Sequence, residues 1–114
     1  MAISRPVLNL INFLCMQLEL KVLWAKNFLG LSIDQVTDRY ICPITNYYFW
    51  PKTEAWEQLK LELGFKPWLK DEEKIKVLNF AAEIMVFWRA HRNTANIDEV
   101  RKKFNDIRFV KINT

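Results

Sequence analysis

Tyr47-Tyr48-Phe49-Trp50-Pro51-Lys52-Thr53-Glu54-Ala55-Trp56-Glu57-Gln58-Leu59-Lys60 is the stretch on which the reading of this chain turns. Four aromatic residues in a row suit a short strand, where flat side chains pack on a pleated surface. Pro51 removes a ladder donor and ends it. Thr53 is placed to cap a helix, with its hydroxyl on a free backbone N–H, and Glu54 to sit at the positive end of the helix dipole. Trp56, Leu59 and Leu63 then recur at the spacing of one helical face. The chain therefore turns from sheet to helix at this point. The density of rings, with Trp24, Phe49 and Trp56 as core residues, predicts that the corner is the centre of the core.

Upstream, Leu18, Leu20, Val22 and Trp24 fall on every second residue, as do Leu29, Leu31 and Ile33 after a turn at Ala25-Lys26-Asn27. Two strands, each with one buried face, pair back on each other. Residues 34–46 read as a polar loop broken by Pro43, and Tyr47 to Trp50 as a third strand. Downstream of the corner helix, which Gly64 is suited to end, Asp71 is expected to cap a long helix. That helix carries two apolar stripes: Ile75, Leu78, Ala82 and Met85, then Val77, Ala81, Ile84 and Trp88. Two stripes predict burial on two sides, or a partner on the second. Asn96 is placed to cap a short helix with Ile97, Val100 and Phe104 inward, and residues 107–112 have strand-like composition as a last strand or an arm.

The resulting fold class is α+β, a small antiparallel sheet packed against two to three helices. The chain of 114 residues makes one domain. It divides into an apolar N-terminal extension (residues 1–17), a central domain (residues 18–90) and a basic C-terminal extension (residues 91–114). The apolar run Val7 to Met16, helix or strand left open, lacks a small-residue cleavage site and is too short to span a bilayer. It reads as a packing segment, with no membrane role. Cys15 and Cys42 have no zinc or redox spacing and are expected as buried free thiols.

The formal charge is +4, and its distribution is uneven. Seven basic and three acidic residues lie between 89 and 114, against a near balance before them. Arg89, Arg92, Arg101, Lys102, Lys103, Arg108 and Lys111 are thus the candidate contacts for a polyanion, Arg as a fork and Lys as a point charge on phosphate. Trp50 with Lys52, and Lys66 with Trp68, form a second candidate contact surface, because an aromatic beside a cation suits unpaired bases. A catalytic constellation does not emerge. His91 is the single histidine, the acids Asp71, Glu72 and Glu73 fall where a helix start favours them, and neither serine has a nucleophile context. The expectation is no enzyme, no cofactor, no metal and no small-molecule substrate.

Phe49-Trp50-Pro51-Lys52, Glu54 to Lys60, Lys66-Pro67-Trp68 and Lys74 to Asn79 together resemble the plastid-specific ribosomal protein three family. The resemblance runs from about Leu18 to Trp88, through Leu31 to Val36 and Pro43 to Trp50. It implies a structural component of the small (30S) subunit of the plastid ribosome that binds 16S rRNA and neighbouring proteins and supports assembly and translation. It places the chain in the plastid stroma, or in the cytoplasm if cyanobacterial; the missing targeting pattern fits a plastid-encoded gene. The rival reading is an assembly factor or protein-binding adaptor that leaves the ribosome afterwards. On this resemblance the basic end past Trp88 is an addition to the family domain.

Overall fold

The computed structural model describes residues 17–110. The apolar run before Gln17, with Cys15, and Lys111 lie outside the described residues. Strands β1 (Gln17–Trp24) and β2 (Leu29–Val36) form an antiparallel hairpin paired along its whole length, from Gln17 opposite Val36 to Trp24 opposite Leu29. The alternation of apolar residues sets this register, since a slip by one would turn every leucine to the wrong face. Leu18, Leu20, Val22, Leu29, Leu31 and Ile33 are all buried.

The remaining strands are short. β3 (Ile41–Pro43) and β4 (Tyr48–Trp50) both pair antiparallel with β2, at its end and its start respectively. β5 (Arg108–Val110) lies on the other side of β1 and runs parallel to it, so the sheet is mixed. The antiparallel part agrees with the α+β expectation, and β5 adds the parallel pair. The polar stretch 34–46 is not one loop, because β2 continues to Val36 and residues 41–43 pair with it. The link from β3 to β4 is pinned at Ile33, whose carbonyl accepts from the Ile44 and Thr45 amides while its own amide donates to Thr45 Oγ1 at 2.9 Å.

Three helices follow: α1 (Ala55–Gly64), α2 (Asp71–His91) and α3 (Ile97–Lys103). The first begins one residue later than a cap at Thr53 would place it, with Glu54 in the cap position. Thr53 instead folds back, its hydroxyl and amide both donating to the Phe49 carbonyl at 2.9 Å. Asp71 is likewise the first helical residue and makes no cap bond; Lys70 precedes it in an extended conformation. Asn96 caps α3 as its position requires, Oδ1 accepting from the Asp98 amide at 2.9 Å. Glu73 takes up a role beyond the dipole. Its Oε1 accepts the Leu18 amide at 3.0 Å, which satisfies β1 where β5 does not reach, and Lys76 Nζ lies 3.0 Å from both carboxylate oxygens.

The core is aliphatic, contrary to the expectation of an aromatic centre. Ala55, Leu59 and Leu63 of α1 and Val77, Ala81 and Ile84 of α2 meet the leucines of β1 and β2. Branched aliphatics fill the space between one sheet and its helices, while Trp24, Trp50 and Trp56 are half-buried around the rim and Phe49 is exposed on the far side of the sheet. Rings with an N–H settle where a carbonyl is in reach, as Trp56 Nε1 does on the Leu78 carbonyl at 2.9 Å. Trp88 alone of the tryptophans is buried, and its Nε1 donates to the Ala25 carbonyl at 2.7 Å. Of the two stripes on α2, only the one holding Trp88 is buried throughout; Ile75 and Ala82 of the other are exposed. Cys42 is also exposed, because the short edge strand β3 lies outside the helices' cover.

On the opposite face of the sheet, Asp34 is buried and forms an ion pair with Lys21 at 3.2 Å. Phe49 lies directly across from Gly30, edge-on to Phe28 at 5.4 Å and stacked with Tyr47 at 6.2 Å. Burial, and after it the Glu62 carboxylate of α1, raise the Tyr48 phenol above its ordinary 10.0.

Candidate nucleic-acid interface

Phe87 and Trp88 are neighbours near the end of α2, and one step of helix turns them about 100° apart. Trp88 points into the core, where its ring meets Trp50 of β4 edge-on at 5.4 Å. Phe87 points toward α3 and packs against Phe104 at 5.2 Å, Trp24 at 6.1 Å and His91 at 4.5 Å. The end of the long helix is thereby wedged between rings on both flanks.

These rings carry the cations. The Arg89 guanidinium lies 5.0 Å from the centre of the Trp50 ring, and that of Arg92 lies 5.1 Å from Trp88. Lys103 Nζ stands 4.7 Å from Phe87 and 5.9 Å from Phe104. A cation over a ring face is attracted by the ring quadrupole, by about 0.5–1 kcal/mol at an exposed site. A guanidinium laid on an indole still presents its N–H edge outward. The ion pairs among the described residues are Lys21–Asp34, Lys74–Asp71 and Lys76–Glu73, so none neutralises the cations at this end. Arg89 and His91 also oppose the negative end of the helix dipole.

The fold brings some of the sequence candidates together and separates others. Arg89 and Arg92 rest on the Trp50–Trp88 pair and Lys103 on the Phe87–Phe104 pair, on two flanks of the end of α2, and Arg101 and Lys102 are exposed beside Lys103 on α3. Arg108 stands on β5 opposite Lys21. Residues 97–110, set apart in the sequence reading as part of an extension, contribute Val100 and Ile107 to the core and β5 to the sheet. Trp50 with Lys52 and Lys66 with Trp68 sit at opposite ends of α1, some 15 Å apart for its ten residues at 1.5 Å each. They make no single surface: Trp50 belongs with Arg89, and Trp68 stands exposed on the link to α2. Phe87 and Phe104, which seat Lys103, were missed as site residues. Phe104 is marked by its stripe only as apolar, and Phe87 falls on neither stripe of α2.

A family profile described as "Plastid and cyanobacterial ribosomal protein (PSRP-3 / Ycf65)" matches residues 44–91, from the approach to β4 through the end of α2. The chain is 37% identical over 93 residues to a small ribosomal subunit protein cS23 of Gracilaria tenuistipitata var. liui, covering 82% of this chain and 94% of that relative. It is 42% identical over 88 residues to a probable small ribosomal subunit protein cS23 of Synechococcus sp. (strain JA-3-3Ab), covering 77% of this chain and 89% of the relative. A cS23z of Arabidopsis thaliana is 39% identical over 71 residues, 61% of this chain and 43% of the plant protein. A 93-residue match in a chain of 114 is longer than the span from Leu18 to Trp88 and necessarily includes Arg89 and Arg92. The similarity thus reaches past the point where the resemblance in the sequence stopped. The chain belongs to the PSRP-3/Ycf65 family of plastid and cyanobacterial ribosomal proteins, which is not a family of enzymes.

Proposed function

We propose that this protein is a structural component of the small (30S) subunit of a plastid ribosome, or of a cyanobacterial one, and that it holds 16S rRNA through the cations at the end of α2 and on α3. One observation supports this most directly: Arg89, Arg92 and Lys103 are seated on Trp50, Trp88 and Phe87 with no carboxylate among their ion-pair partners. Phosphate oxygens are the ligands such groups accept, and interactions of this kind position a protein without reading sequence. The chain then recognises the shape of a folded RNA. Arg101 and Lys102 extend the same basic surface; Arg108, on β5 opposite Lys21, makes a separate contact, and Lys111 follows β5 in the sequence. Trp68 and Lys66 make a separate contact at the other end of α1. In this role the protein supports subunit assembly and translation by holding RNA and neighbouring proteins in place.

The test is retention on the small subunit. A tagged chain should stay with small subunits in a sucrose gradient after a high-salt wash, whereas a transient assembly factor would be released. The triple variant Arg89→Gln, Arg92→Gln and Lys103→Gln should lower the slope of log affinity against log salt by about 2–3, at about 0.7–0.9 for each phosphate no longer neutralised. Release in the wash, or an unchanged slope, refutes the reading.

A further inference from the structure

The face of the sheet turned away from the helices holds two polar atoms that no described residue satisfies. Ser32 and Asp34 of β2 are each 2% exposed, although the helices send their buried residues to the other face. Asp34 Oδ2 takes Lys21 at 3.2 Å, but Asp34 Oδ1 and the Ser32 hydroxyl have no hydrogen-bond partner among the described residues. A buried oxygen without a partner has lost its bonds to water and gained none in return, so such groups are nearly always satisfied in a folded protein. Lys21 is already fixed between Asp34 and the Tyr47 ring, 5.2 Å from its centre.

Toward the hairpin turn the same face is apolar. Phe49 is 39% exposed there, with Phe28 edge-on and Tyr47 stacked beside it, and Leu23 stands half-buried across from Gly30. The charges on this face are Lys21 and Asp34, which neutralise each other, Glu19 opposite Asp34 and, on the β5 edge, Arg108. A further cation at Asp34 would compete with Lys21, and a phosphate there would meet two carboxylates. The face therefore fits a neutral occupant, apolar along most of its length, with an uncharged donor near Asp34.

We propose that the occupant is the chain's own segment Val7–Met16, laid across this face with the Asn12 amide donating to Asp34 Oδ1 and Ser32 Oγ. The segment carries no charge, and Asn9 and Asn12 are its only amide side chains. An amide NH2 has two hydrogens, and Ser32 and Asp34 are alternate residues about 7 Å apart along β2, so one amide can serve both. The segment is also joined to the face. Met16 precedes Gln17, the first residue of β1, and Glu19, the partner of Asp34, lies about 7 Å farther along. The chain from Asn12 to Gln17 spans up to about 17 Å, enough to reverse direction and return to Asp34. The residues before Asn12 then lead toward Phe49. Such a tether holds the segment at an effective concentration on the order of millimolar, against which a separate partner has to compete. The inference stands apart from the small-subunit reading, because it concerns the isolated chain.

The experiment replaces Phe49 with p-benzoylphenylalanine in the full chain, irradiates the purified protein in dilute solution and maps the product by mass spectrometry. The expected product is a cross-link within one chain, from position 49 to a residue between 7 and 16. A cross-link between two chains, or none that reaches that segment, overturns the inference. A second measurement leaves the ring in place. Asn12→Leu in the full chain should lower the melting temperature by about 5–10 °C, since it returns two buried oxygens to having no donor, while Asn9→Leu should change it by less than about 2 °C. An Asn12→Leu variant that melts with the unaltered protein overturns the inference.

Discussion

Trp88 is where the core and the cationic site meet, and replacing it with phenylalanine isolates what its indole does. The ring is 2% exposed, and its Nε1 donates to the Ala25 carbonyl at 2.7 Å across 63 residues of sequence. Phenylalanine keeps an aromatic ring and nearly the same helix propensity, so α2 itself is undisturbed. The Ala25 carbonyl, on a buried residue at the hairpin turn, loses its donor at a cost of about 1–3 kcal/mol. The smaller ring leaves a void of roughly 40 Å³, about 1 kcal/mol more at about 24 cal/mol per Å³. The sum is about 2–4 kcal/mol, a large share of the roughly 5–15 kcal/mol that holds a domain of this size together. Thermal unfolding followed by circular dichroism should move down by about 8–32 °C, using about 4–8 °C per kcal/mol. Trp68→Phe is the matched control. That ring is 58% exposed on the α1–α2 link, and the same change there should cost under about 0.5 kcal/mol. If the two variants melt together, the hydrogen bond and the packing assigned to Trp88 are not what hold this end of the helix.

Lys21→Met should destabilise the domain by about 3–5 kcal/mol in a denaturant titration, because it strands the buried Asp34 carboxylate, whose Oδ1 has no partner of its own. Adding Asp34→Leu should return most of that stability, and a double variant no better than the single one would sink the argument. Gly30→Ala should cost about 1 kcal/mol despite the gain in strand propensity, since a Cβ there would stand 2.9 Å from Phe49 Cε1 and 3.1 Å from Leu23 Cβ. Pairing it with Phe49→Leu should relieve the cost in a double-mutant cycle; strict additivity would show that the ring does not sit over the glycine.

How far the sequence could be read depended on whether an element's pattern was local. The β1–β2 hairpin was legible because two eight-residue strands carry the same period of two and bury the same face. β3 was not, because Ile41–Pro43 is wholly exposed and its pairing is determined by β2 and by the bonds at Ile33, none of which leaves a periodic trace. The helices were found within a residue or two, but the start of α1 was misjudged because the Thr53 hydroxyl donates to the Phe49 carbonyl instead of accepting a helix N–H. The aromatic cluster misled for a related reason. Ring density marks large surface to bury but does not say which ring finds an acceptor inside the core, and only Trp88 has the Ala25 carbonyl beneath it. For the candidate site, the excess of cations was countable from composition, yet the seats that hold Arg89, Arg92 and Lys103 depend on β4, α2 and α3 meeting in space.

That meeting bears on how a small excess of charge could suffice for RNA. A free lysine or arginine tail loses up to about 2 kcal/mol of rotamer freedom for each side chain fixed on a phosphate. A side chain already resting on a ring has given up part of that freedom during folding, so less remains to be surrendered on binding. Arg89 and Arg92 sit on the two tryptophans that meet edge-on at 5.4 Å, so their spacing is set by the core and not by the RNA. A rigid pair of this kind favours one phosphate geometry over others, which a flexible tail of equal charge cannot do. Loosening Trp88 should therefore weaken the fold and the grip on phosphate together, whereas Arg92→Gln should weaken the grip alone.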